Sequence, residues 1–220
     1  MKEAASLLIS PIIFLFLYLY LRYKYPQGQF RLLFKTFGLG LLMAVPVILA
    51  DQLAHYLNID GALSIRRMFM YSFVFVGFVT EISKFIPLYS FVMKHKTFNG
   101  APDGIIYTIA ISTGLTSIYS IYYLYFGLHV VGDTILMFAV GPVSALLAVI
   151  LGFFAGMGKV RKNKFIDSMT GIGAAAFFHG LYRFTILSND HLFYYLVSGG
   201  ILFIALILLR KSLTTPLDSY

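Results

Sequence analysis

The sequence predicts an all-α fold, a polytopic bundle of about seven transmembrane helices forming one integral membrane domain over residues 1–220. Three observations predict it. The chain is 59% hydrophobic and only 12% charged, about half the charged fraction of a soluble domain. Its mean hydropathy is +0.83. Its apolar residues fall into seven runs close to the ~20 residues needed to cross ~30 Å of hydrocarbon, with short polar loops between them.

In order, the runs cover residues 4–21, 32–56, 68–93, 104–126, 134–157, 169–187 and 191–209. The first carries Pro11 near its start and ends among tyrosines and Arg22. The second contains Gly38 and Gly40, small residues that let helix backbones approach. The third holds Glu81 and Lys84 in its middle. The fourth opens on Pro102-Asp103-Gly104, a helix start with an acid placed to cap it. The fifth has Gly141, Gly152 and Gly156, and the sixth has the small-residue run from Gly171 to Ala176, both suited to close bundle packing. The sixth is also short and carries the polar His179 and Arg183. The seventh ends before Arg210 and Lys211. Tyrosines near the run ends fit interfacial belts. There is no internal repeat and no low-complexity tract.

The charge pattern excludes some partners. A formal net charge of +8 could point to nucleic acid, but the cations sit in short loops, where they face anionic headgroups and set topology. Twelve of the seventeen Lys and Arg residues fall beside the odd-numbered loops and the C-terminus: Arg22, Lys24, Arg31, Lys35, Lys94, Lys96, Lys159, Arg161, Lys162, Lys164, Arg210 and Lys211. Three (Lys2, Arg66, Arg67) fall on the other side, and Lys84 and Arg183 lie inside spans. This bias puts the C-terminus in the cytoplasm and the N-terminus outside. No cleavable leader is expected. Cysteine is absent, which removes thiolate chemistry and disulfides.

The polar residues inside the spans carry the functional argument. A charge at mid-membrane costs about 2.5–3.5 kcal/mol on insertion scales, so Glu81 is a functional candidate by default. Lys84, three residues on, shares its helix face. Counted at 1.5 Å per residue, Glu81, Lys84, Tyr119, Ser144, His179 and Arg183 lie about 13–24 Å from one membrane face. Four spans thus offer polar groups at a similar depth, which predicts a shared polar centre. Arg183 is the expected counter-ion of Glu81, leaving His179 free to hydrogen-bond or to bind water. Asp51 and His55 are expected near the outer end of the second span, meeting water or Arg66 and Arg67.

Several stretches together resemble the PrsW family, glutamic-type intramembrane proteases related to the CAAX-processing and bacteriocin-immunity proteases. They are Thr80-Glu81-Ile-Ser-Lys84, Asp103-Gly-Ile-Ile-Tyr107, Leu115-Thr-Ser-Ile-Tyr119, Gly141-Pro-Val-Ser144 with Gly152 to Gly156, and His179-Gly-Leu-Tyr-Arg183. The resemblance runs from about residue 30 onward and implies the PrsW fold. It also shows departures. Thr80 stands where the family has a first glutamate, Tyr119 where it has another, Ser144 where it has a histidine and Arg183 where it has an aspartate. Glu81, Lys84 and His179 remain.

Peptide hydrolysis needs a base for water, a donor for the oxyanion and an acid for the leaving amine. The resemblance therefore implies a protease homologue that is catalytically impaired, with a polar intramembrane cleft that binds a transmembrane helix or a lipidic chain. The alternative is an active intramembrane peptidase. There Glu81 activates water, His179 positions it and Arg183 or Tyr119 stabilises the oxyanion. Thr80, Lys84 and Ser144 support the cluster in either case. No metal or other cofactor is expected, because Glu81 and His179 fall one short of the three protein ligands usual in catalytic zinc sites. The expected partners are membrane lipid and a transmembrane substrate or partner helix, not nucleic acid. The expected location is a bacterial cytoplasmic membrane.

Overall fold

The structure, a computed structural model, describes residues 6–25, 28, 30–60, 64–126, 133–161 and 163–214, without the side chains of 133–137. Lys2, Lys162 and the beginning of the first expected span lie outside the described residues. The described residues form seven long helices. They are α1 (Ile9–Lys24), α2 (Phe30–Tyr56), α3, α4 (Ala101–Phe126), α5 (Asp133–Val160), α6 (Lys164–Leu187) and α7 (His191–Thr214). Helix α3 is continuous but not uniform. It runs as α-helix over Ile65–Phe69, π-helix over Met70–Phe78, α-helix over Val79–Pro87 and π-helix over Leu88–Val92.

Most helices extend a turn or so beyond the apolar runs, because a helix does not stop where the hydrocarbon does. At the start of α4, Asp103 Oδ2 accepts the backbone N–H of Asn99 at 2.7 Å, which ties the incoming chain to the first turn. Ser64 caps α3 by accepting from Arg67 N–H, one of the donors a helix N-terminus leaves open.

Five helices (α2, α3, α4, α7 and, over Phe138–Val160, α5) are long and apolar enough to cross a membrane on those properties alone. Helix α1 has 16 residues, and α6 is diluted by Lys164, Asp167, His179 and Arg183. Polar content in α6 is what a functional span would carry.

Helix α4 is the centre of the bundle. In its apolar window 72% of residues are buried, against 17% in α7, which packs at the periphery. Two close crossings fix the rest. Gly104 of α4 meets Gly152 of α5 so tightly that a Cβ on either would overlap the other's carbonyl. A Cβ on Gly77 of α3 would lie 2.5 Å from the Ala176 carbonyl of α6, and one on Gly180 would lie 2.7 Å from the Phe73 ring. Small residues at both crossings let backbones touch.

Successive helices alternate in direction. Lys159 at the end of α5 donates to the carbonyls of Met93 (2.8 Å) and His95 (3.3 Å), just past the end of α3. At the other face Ala54, Met68, Tyr71 and Leu187 form one core cluster. The loops after α1, α3 and α5 therefore share a face.

Candidate functional site

The crossing of α3 and α6 builds the site. Gly77 is one turn before Glu81, and Gly180 adjoins His179, so the contact that lacks side chains brings these two together. His179 Nδ1 lies 2.8 Å from Glu81 Oε1, and Lys84 Nζ donates to the same oxygen at 2.7 Å. The Glu81 and Lys84 side chains are 0% exposed and that of His179 is 14% exposed. Glu81 Oε2 is buried without a hydrogen-bond partner among the described residues. With Nδ1–H donated to a carboxylate, the tautomer leaves Nε2 of His179 as the acceptor.

Helix α5 is tied in through Ser144. Its carbonyl accepts Ser112 Oγ at 2.9 Å and faces Lys84 Nζ at 3.4 Å, while the two serine hydroxyls pair at 2.9 Å. These contacts link α3, α4 and α5 across the buried ion pair.

Beside this cluster lies a cavity of about 50 Å³. At roughly 15 Å³ each it could hold about three waters. Thr80, Tyr119, Ser144, His179 and Arg183 all line it. Five expected site residues from four helices therefore share one space. Glu81 and Lys84 are not among the lining residues; they sit behind His179.

Two expectations need correction. Arg183 is not the counter-ion of Glu81. Lys84 and His179 take that place, and the Arg183 guanidinium lies over the Tyr71 ring, 5.4 Å from its centroid. His179 does hydrogen-bond, but to Glu81 itself through Nδ1, and it lines the cavity. Asp51 does not meet Arg66 or Arg67: it lines the cavity and accepts the Tyr71 hydroxyl at 2.6 Å. His55 pairs instead with Asp60 at 2.7 Å. Arg183 is 5% exposed, yet its Nε and Nη2 have no hydrogen-bond partner among the described residues. Buried donors of this kind are normally met by water or a bound group.

Sequence reasoning gave Asp51 other partners and did not single out Tyr71. The usable signal was that Asp51 stands five residues inside a helix that runs to Tyr56, deep enough for its carboxylate to need a buried donor.

A family model described as PrsW family intramembrane metalloprotease matches residues 28–209. Among curated proteins, the chain is similar to Protease PrsW of Halalkalibacterium halodurans, 31% identical over 134 residues, covering 59% of this chain and 57% of that protein. It is also similar to Protease PrsW of Bacillus subtilis, 28% identical over 171 residues, covering 76% of this chain and 75% of the relative. In Geobacillus kaustophilus the corresponding figures are 31% over 129 residues, 57% and 56%. The chain thus spans a little over half of two of these relatives and three quarters of the third. No solved structure matches.

The family description implies a metal, and the residues present do not fit one. Among the described residues no three His, Cys, Asp or Glu side chains gather into a ligand set. The candidate pair at the site, Glu81 and His179, bond to each other, and the Lys84 ammonium occupies the position beside Glu81 Oε1 that a cation would need. Two ligands with a resident cation make a poor divalent site.

Proposed function

Because this integral membrane chain belongs to the PrsW family of intramembrane metalloproteases, we propose that it is a member whose hydrolytic step is impaired and which binds a transmembrane helix or lipidic chain in a polar intramembrane cleft bordered by this water-sized cavity. One observation carries this reading. The remaining glutamate of the motif, Glu81, is fully buried, is held by Lys84 and His179 on one oxygen, and does not line the cavity where a water or substrate would sit. A general base must reach the proton it removes, directly or through one water. Glu81 is instead a neutralised structural anion. Thr80 and Tyr119, at the positions of the other motif glutamates, line the cavity but carry only hydroxyls.

A second reading is favoured by a specific contact. His179 does line the cavity, and its Nδ1 is backed by Glu81, the arrangement in which a carboxylate orients an imidazole so that Nε2 can act as base. In that active peptidase the roles expected from sequence would be exchanged, with His179 as base, Glu81 as its orienting partner and Arg183 as the oxyanion donor.

Restoring the motif separates the two. The purified protein and its Thr80→Glu/Tyr119→Glu/Ser144→His/Arg183→Asp variant are incubated in liposomes with a panel of single-span peptides. The impaired reading predicts cleavage by the restored variant alone. Cleavage by the unmodified protein that is lost in His179→Ala would favour the dyad.

A further inference from the structure

Away from this cavity, on the face shared by the loops after α1, α3 and α5, a groove of about 740 Å³ runs between the start of α2 and the end of α3. That volume is within the range of small-molecule sites. Arg31 and Lys35 line one side, four residues apart and so on one helix face. His95 lines the other, with Phe30, Leu32 and Phe91 forming the apolar walls.

The groove is built rather than incidental. The His95 side is anchored, because Lys159 holds the Met93 and His95 carbonyls and His95 Nδ1 lies 2.8 Å from Thr97 Oγ1. No acidic residue lines it among the described residues. Asp103 lines a neighbouring cavity, and its Oδ2 is engaged by Asn99 N–H. No hydrogen bond or ion pair to a protein acceptor engages Arg31 or Lys35 among the described residues. A like-charged pair four residues apart on a helix is mildly unfavourable, and an anion between the two side chains reverses that sign. Arg31 is the second residue of α2 and His95 lies three beyond the end of α3, so the cations sit at headgroup level while Leu32 and the 41%-exposed Phe91 face the first part of an acyl chain.

We infer that this groove is a binding site for one anionic phospholipid, with Arg31 and Lys35 on its phosphate and Phe30, Leu32 and Phe91 along its chain. An arginine fork suits a phosphate oxygen pair. The two fixed cations without an acid disfavour the ammonium of a zwitterionic headgroup, so net charge is the selected property. This inference is independent of whether the protein cleaves anything.

The test is native mass spectrometry of the purified full chain given equal amounts of phosphatidylglycerol and phosphatidylcholine with identical acyl chains. The unmodified protein should retain phosphatidylglycerol selectively, and millimolar inorganic phosphate should not displace it. Arg31→Gln/Lys35→Gln should weaken phosphatidylglycerol retention about 30-fold, on the usual contribution of two basic groups at an anionic surface. Lys94→Gln/Lys96→Gln, which removes two exposed charges outside the groove, should leave it unchanged. Equal retention of both lipids by the unmodified protein overturns the site without any variant. An equal loss in both double variants overturns it in favour of diffuse surface attraction, and displacement by inorganic phosphate reduces it to a simple anion site.

Discussion

Lys84 decides what Glu81 can do. A lone carboxylate in a buried position would be costly, and the ammonium three residues on supplies both charge and a hydrogen bond at 2.7 Å. Breaking such a pair strands its partner, whereas replacing both with apolar groups can be nearly neutral. Glu81→Ala should therefore cost about 3–5 kcal/mol in detergent unfolding, and Glu81→Leu/Lys84→Met should recover most of it. If the double variant is as unstable as the single one, the pair is not the unit. A second residue-scale test concerns Tyr71, whose hydroxyl meets Asp51. Tyr71→Phe should lower stability by about 1.5–3 kcal/mol, the usual value of a hydrogen bond to a charged group; an unchanged midpoint would show that water replaces the hydroxyl. The Glu81–Lys84 pairing was legible in the sequence because both lie on one helix, where spacing dictates proximity. The partner of Arg183 was not, since it depends on the rotation of α6 about its axis relative to α2 and α3, which periodicity in a nearly all-apolar helix does not define.

Elements bring the residues together through glycine. At the α3–α6 crossing the backbone of one helix occupies the space of the other's side chains, and Glu81 meets His179 one turn from that contact. Gly77→Val should push the helices apart, lowering stability by about 1–3 kcal/mol or more and disordering the His179–Glu81 contact. Gly173→Ala on the same helix α6, where nothing lies within 4 Å of the added Cβ, should be neutral or slightly stabilising. Equal effects of the two would show that helix propensity rather than the crossing governs the response. Small residues were visible in the sequence as packing signals, but which glycine meets which helix was not. The π-helical stretches of α3 were also illegible, because their backbone hydrogen bonding is set by packing on both sides of the helix and leaves no hydrophobic period of its own.

At the scale of the whole molecule, seven runs became seven helices, since burial of apolar surface in lipid and internal satisfaction of backbone groups leave few alternatives. The loops that carry most of the cations share one face. The positive-inside rule predicts that this face is the cytoplasmic one. The chain has no cysteine, so single substitutions report cleanly: Lys94→Cys should label only from the cytoplasmic side and Asn58→Cys only from outside. Labelling of both from one side would refute this topology. The convergence of Thr80, Tyr119, Ser144, His179 and Arg183 on one cavity followed from their shared depth, which helix rise gives directly, but depth alone did not reveal that Glu81 stands behind that cavity. The central claim is that this seclusion leaves the protein without a working base, and the most direct measurement is cleavage of single-span peptides by the unmodified chain in liposomes. The account predicts no product above the Glu81→Gln background; product that forms with the unmodified protein and disappears with Glu81→Gln would contradict it.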